Sequence, residues 1–188
     1  MIEEVVLVND AGTPIGTAPK LEVHTANTAL HLAFSCYVFN EQGQFLLTQR
    51  AHVKKVWPDV WTNSLCGHLM PGESTEDAIK RRLDYELGIK KYKDLEVILP
   101  DYRYKTPPYK GIIENEICPV YAAVVLEKPT PNPLEVEAYK WVKWDELDGL
   151  VAKEPAVYSY WFKDVLKKLA QAQSAAKWQA WLEHVGAQ

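Results

Sequence analysis

At 188 residues, 47% hydrophobic and 24% charged, the chain is long enough for one domain over residues 1–188 with its own core, and it is not disordered. A formal charge of −4 provides no basic surface for nucleic acid, so an anionic ligand must be held by locally placed Lys and Arg or by metal ions. Three cysteines without a CxxC spacing exclude a disulfide framework or zinc ribbon, and no run reaches the roughly 18 apolar residues of a membrane span. The first residues, MIEEVVLVND, lack the basic and apolar regions of a signal peptide, so the expectation is a cytoplasmic protein with no membrane or nucleic-acid partner.

The segments EEVVLV (3–8) and LAFSCYVF (32–39) are β-branched and aromatic and read as strands, and EQGQ after the second reads as a hairpin turn into FLLTQR. A loop rich in Lys and Trp, AHVKKVWPDVW, leads into WTNSLCGH, which reads as one strand. GESTEDAIKRRLDYELGI then predicts a helix with Ser74 or Thr75 at its N-cap, acids in its first turn and Gly88 as its stop. Ile79, Leu83 and Leu87 would face the core, while Arg82 and Glu86 share another side of the helix. Strand-like runs return at 95–104 and 112–126, and the proline-rich KPTPNPLE leads into the strand AYKWVKW. From about Asp145 the chain reads as helical, ending in one or two helices. Strands outnumber helices, which predicts an α+β fold with mixed sheets flanked by helices.

Two close pairs carry candidate chemistry. Cys66 and His68 stand two apart, as do Glu114 and Glu116, so on strands each pair points to one face. Two carboxylates on a buried face need neutralising, although a solvent-facing sheet surface or a shared proton would also accommodate them. With His24 and His31 the set becomes three imidazoles and two carboxylates, suited to Zn²⁺ or Mn²⁺. Sequence alone does not show that the five converge. His52 and His184 have no comparable acidic companions and read as surface residues, as do Lys55, Lys90, Lys91 and Lys93.

From Gly67 to Ile89 the chain resembles the Nudix box. It matches at Gly67, Glu73, Arg81, Leu83, Glu86, Gly88 and Ile89, but carries Arg82 and Tyr85 where two of the box's glutamates belong. A cation in the Mg²⁺-binding cluster counts against diphosphate hydrolysis. The ordered series HTANTALHLAF, WTNSLCGH, DYRY, ENEICPV and YSYW, from near residue 3 to about 165, resembles the type I isopentenyl diphosphate isomerases of that superfamily. The resemblance implies a Nudix-like fold with additional C-terminal helices, about 166–188 forming an extension without assigned chemistry. It implies interconversion of isopentenyl and dimethylallyl diphosphate, a small-molecule diphosphate being the partner of a monomer or weak homodimer.

The resemblance also implies roles. Cys66 matches the family's catalytic thiol and Glu116 its acid/base, with Tyr104 as proton donor or relay and Trp161 facing the carbocation. Without the resemblance Trp161 reads instead as a core anchor spaced with Tyr158 and Val165, and Tyr104 as a plain strand aromatic. Lys20, Arg50, Lys54 and Arg82 fall where the family grips the diphosphate. His24, His31, His68, Glu114 and Glu116 correspond to a Mn²⁺ or Zn²⁺ site, and Glu86, with the Cys66 backbone carbonyl as a further candidate ligand, to a Mg²⁺ bridging to the diphosphate. The other readings are a Nudix hydrolase and a non-catalytic metal-binding module in which Cys66 merely packs.

Overall fold

The computed structural model describes residues 3–186, without the side chains of 172–174, so the last two positions of the expected C-terminal extension lie outside the described residues. The organising element is β3 (His31–Phe39), buried along most of its length and hydrogen-bonded on both edges. On one edge it meets, in turn and all antiparallel, β1 (Glu4–Val8) at His31, β6 (Leu65–His68) at Ala33–Cys36 and β4 (Gln44–Arg50) at Phe39. On the other edge β9 (Asn115–Ile117) and β10 (Val120–Val125) run parallel to it. The remaining strands pair antiparallel with these: β2 (Pro14–Pro19) with β1, β5 (Trp61–Thr62) and β11 (Val136–Lys143) with β4, β7 (Tyr92–Leu99) with β10, and β8 (Arg103–Lys105) with β9. The mixed sheets expected from the sequence are therefore built around one shared strand.

Alternation along β3 divides the core. Phe34, Cys36 and Val38 face α2 (Thr75–Leu87), where Ile79, Leu83 and Leu87 are fully buried as the spacing predicts. Ala33, Tyr37 and Phe39 face the opposite layer, made by α4 (Tyr160–Leu169) and α5 (Ala172–Gly186), with Phe162, Val165, Trp178 and Trp181 at its centre. Two short helices complete the chain: α1 (Lys20–Val23), and α3 (Leu147–Lys153) where the sequence turns helical near Asp145. At α2 the Ser74 hydroxyl accepts from the Asp77 N–H, and Gly88 at φ +64° lets its own N–H and that of Ile89 satisfy the Asp84 and Leu83 carbonyls. Backbone N–H groups of Thr130 and Asn132 take the carbonyls of Leu87 and Glu86, so the proline-rich connection closes the helix end.

Three expectations need correction. The run 95–104 is two strands broken at Pro100, and 112–126 is two strands broken at Pro119, because proline has no N–H for the ladder. WTNSLCGH is likewise two strands, β5 on β4 and β6 on β3, with Asn63 and Ser64 turned inward at the break. The sequence reading left out β2, whose exposed PIGTAP has no alternation. Prolines at both ends suit its edge position.

Candidate active site

Strand register brings the candidate residues to one face. Ala33 pairs with His68 and Ser35 with Cys66 on one edge of β3, and His31 pairs with Glu116 on the other. Tyr104 on β8 pairs with the same Glu116. Directly paired residues share a face, so Cys66, His68, His31, Glu116 and Tyr104 all lie on the Ser35 side of the sheet. Gly67, between Cys66 and His68, points to the other side. A Cβ there would stand 3.1 Å from Arg82 Cγ and 3.1 Å from the Phe34 ring, which is why the bracketed residue is a glycine.

The three histidines and two glutamates do converge. One ligand atom from each of His24, His31, His68, Glu114 and Glu116 can be chosen so that all lie within 4.8 Å of one another, with ring centroids 5.0–5.3 Å apart. The carboxylates are buried, which removes the solvent-facing alternative. His24 Nδ1 donates to the Lys20 carbonyl at 2.9 Å and His31 Nδ1 to the Ala29 carbonyl at 2.8 Å. A carbonyl only accepts, so both Nδ1 atoms carry their hydrogen and, in the neutral ring that a metal ligand must be, both Nε2 atoms keep a lone pair. His24 Nε2 then sits 3.0 Å from Glu114 Oε2, and His31 Nε2 3.6 Å from Glu116 Oε1, acceptor against acceptor, with no hydrogen bond to either Nε2 or to Glu114 Oε2. Buried acceptors aimed at one point call for a cation, and this donor set fits Zn²⁺ or Mn²⁺. Burial disfavours a proton on His24, but Glu114 outweighs it and raises that histidine, whereas burial dominates at His68 and lowers it. For Glu116, burial is outweighed by the imidazoles of His31 and His68 beside it, the latter hydrogen-bonded through Nε2 at 3.0 Å, which hold its carboxyl well below the usual range.

Beside this cluster lies a cavity of about 460 Å³. Cys66, His68, Glu116, Tyr104 and Trp161 line it, as do Lys20, Arg50, Lys54, Arg82 and Glu86, with the exposed Leu21, Val53 and Leu134 at its rim. His31, fully buried, stands behind the wall. Burial pushes the Cys66 thiol up to about 11, against hydrogen bonds with Ser35 and Asn63 that pull it down. Its sulfur is 3.4 Å from Ser35 Oγ and 3.1 Å from Asn63 Nδ2. Burial and then the Glu116 charge push the Tyr104 hydroxyl well above the tyrosine range, so it keeps its proton. Trp161, on the first turn of α4, both packs in the core and lines the cavity, so the two readings of it are compatible.

Comparison with known proteins decides what this site belongs to. Residues 29–165 match the NUDIX domain family. An isopentenyl-diphosphate Delta-isomerase of Paenarthrobacter aurescens is 49% identical over 92% of this chain and 93% of its own length. One from Saccharopolyspora erythraea is 46% identical over 95% and 92%. The chain belongs to the isopentenyl-diphosphate Delta-isomerase family. The fold agrees: a solved protein from Deinococcus radiodurans superposes with a TM-score of 0.69 at 17% identity, covering 90% of this chain and 100% of that one. A MutT protein from Methanosarcina mazei gives 0.57 at 20% identity over 74% and 91%.

In this isopentenyl-diphosphate Delta-isomerase family member the Nudix box is a connected structure with an altered ligand set. Arg81 grips Glu73 with two 2.7 Å bonds and the His68 carbonyl at 3.1 Å, which ties the turn before α2 to β6. Arg82, where a box glutamate would stand, is buried and donates to Glu86 at 2.5 and 2.7 Å and to Glu135 at 3.2 Å. Burial raises the Glu86 carboxyl despite the Arg82 charge beside it. The other expected diphosphate cations are also engaged: Lys20 with Glu3 at 3.0 Å, and Lys54 with Glu135. Arg50 donates to the carbonyls of Val56 and Trp57, both at 3.1 Å, clamping a loop in which Trp57 (φ +47°) and Asp59 (φ +64°) hold left-handed conformations. Sequence reasoning gave no part to Asn63, Ser35, Glu3 or Glu135. For Asn63 and Ser35 the available signal was a polar residue inside a strand-like run. The two acids carry no such signal. His52 and His184 are exposed as expected, though His52 pairs with Asp59 at 2.9 Å across its loop. Lys55 is exposed yet lies on the cavity wall. Among the described residues no helix is long and apolar enough to cross a membrane.

Proposed function

We propose that this chain interconverts isopentenyl and dimethylallyl diphosphate, acting as a monomer or weak homodimer in the cytoplasm. One observation carries the reading. A thiol and a carboxyl, Cys66 and Glu116, stand on one face of the sheet, on strands bonded to opposite edges of β3, and both line one cavity. Moving the double bond adds a proton at one end of an allylic unit and removes one two carbons away. The alkene is unactivated, so the charge passes through a tertiary carbocation that needs an acid, a base and exclusion of water.

In this scheme Glu116 with Tyr104 delivers a proton to the terminal carbon and Cys66 accepts the proton that leaves, the two exchanging roles in the reverse direction. The protein alone holds Cys66 protonated and Glu116 ionised. That is the state forward turnover leaves behind and reverse turnover starts from. The Trp161 ring face would favour the cation by about 2 kcal/mol in a desolvated site. Lys20, Arg50, Lys54 and Arg82 bind the diphosphate, which takes the places that Glu3, Glu86 and Glu135 hold against three of them. His24, His31, His68, Glu114 and Glu116 would hold a Zn²⁺ or Mn²⁺ that fixes the Glu116 carboxyl, and Glu86 with the Cys66 carbonyl a Mg²⁺ that offsets diphosphate charge.

The test is NMR of isopentenyl diphosphate with the protein and Mg²⁺ in D₂O. Dimethylallyl diphosphate should appear with deuterium at its allylic carbons. Phosphate or monophosphate release without that product would favour the hydrolase reading, and no turnover of any kind would favour the binding module.

A further inference from the structure

Asn63 is 1% exposed and sits where the chain leaves β5 for β6. Its Oδ1 accepts from the Trp161 indole Nε1–H at 3.1 Å and from the Thr62 hydroxyl at 3.1 Å. Its Nδ2 donates to the Leu65 carbonyl at 2.8 Å and to Cys66 Sγ at 3.1 Å, while the same sulfur lies 3.3 Å from Oδ1. The amide cannot be turned over. An indole N–H only donates and a carbonyl only accepts, so the flipped form would set donor against donor and acceptor against acceptor in a dry interior. One side chain therefore meets both the thiol and the tryptophan, with its orientation fixed at each end.

The surroundings make this amide a junction between two elements. The Thr62 hydroxyl is 2.9 Å from that of Ser159, which caps α4 by accepting from the Phe162 N–H, and the Ser159 N–H donates to the Trp61 carbonyl. The start of α4 is thus stitched to β5, and the Trp161 indole is tied to the β5–β6 junction by its hydrogen bond to Asn63. From this geometry we infer that Asn63 is a positioning residue, whose carboxamide fixes the Cys66 thiol and the Trp161 indole relative to each other around the reacting carbons. The inference rests on the proposed isomerisation and adds to it a residue on the same cavity wall that acts through the thiol and the indole it holds.

Removing the carboxamide frees the indole and the sulfur to shift independently, and about an ångström of misplacement is worth about 100-fold in rate. Asn63→Ala should lower kcat by that order with KM for isopentenyl diphosphate within about threefold. The Trp161 indole N–H resonance, assigned by its loss in Trp161→Phe, should exchange rapidly with solvent in Asn63→Ala. Asn63→Asp keeps the acceptor and loses the N–H donors, so its indole should stay protected while kcat remains low; it also decides the matter should the alanine variant not fold. Combining Asn63→Ala with Trp161→Phe should cost less than the product of the two single effects. An Asn63→Ala protein with kcat within threefold of wild type, or one whose indole remains protected, overturns the inference. A wild-type chain that yields no dimethylallyl diphosphate overturns instead the reading on which it rests.

Discussion

Replacing Arg82 by leucine isolates the charge that the Nudix box has reversed. In the native protein its guanidinium holds Glu86 and reaches Glu135, all three largely shielded from water. Glu135 keeps Lys54 in the variant, so Glu86 alone loses its partner. A buried, unpaired carboxylate takes up a proton rather than remain charged, and that limits the damage. For a carboxyl of ordinary pKa about 4.3, carrying a proton at pH 7 costs about 4 kcal/mol at 1.36 kcal/mol per unit, which agrees with about 3–5 kcal/mol for breaking a buried pair. At pH 5.5 the same reasoning leaves under about 2 kcal/mol. The sign is that of a group whose folded-state pKa is raised: its stability is intact below the unfolded value and falls away as pH climbs through the folded one. Urea melts of wild type and Arg82→Leu, followed by circular dichroism in chelator at pH 5.5 and 7, should therefore differ by about twice as much at the higher pH. Arg82→Met combined with Glu86→Leu should fold about as stably as wild type at both. A deficit below about 1 kcal/mol at pH 7, or one independent of pH, would refute the reasoning.

Cys66→Ser should keep the melting profile of the wild type while isomerase turnover falls by orders of magnitude; unchanged turnover would leave the thiol a packing residue. Zn²⁺ or Mn²⁺ at about 100 times its Kd should stabilise the chelated protein by about 2.7 kcal/mol in a thermal melt, and His31→Ala should lose most of that gain. The gain should shrink as pH falls through the histidine range, because protons compete for the same lone pairs. At Glu73, burial is outweighed by hydrogen bonds from Arg81 and the Met70 N–H, so its carboxyl is held below the usual range. Its contribution is present above the unfolded value of about 4.3 and disappears as pH drops through the folded one, so acid titrations of wild type and Glu73→Gln should converge at the acid end.

How much was legible in the sequence depends on how local the cause is. Helix α2 was readable in full, because its cap, its apolar stripe and its glycine stop act within a few residues of one another. The Cys66–His68 and Glu114–Glu116 spacings correctly implied common faces, because side chains alternate along any extended chain. That the two faces are one was not readable, since it depends on which edges of β3 their strands occupy. The strand breaks at Pro100 and Pro119 were signalled by the prolines themselves and passed over. The i,i+4 spacing put Glu86 beside Arg82, but the partners of Lys20 and Lys54 were out of reach, because Glu3 and Glu135 lie 17 and 81 residues from them along the chain. Family resemblance pointed to the cations and to Glu86, but not to Glu3 or Glu135 beside them.

The double-sided pairing of β3 fixes when, as well as where, the site comes into being. His24 and His31 are synthesised long before Glu114 and Glu116, and β9 is a parallel partner that must return from far along the chain. Such distant pairings are entropically expensive and form late, so neither a nascent chain nor a fragment ending before residue 114 can assemble the full five-ligand set. A divalent metal that needs all five ligands would then bind only after the parallel pairing of β9 with β3 has formed.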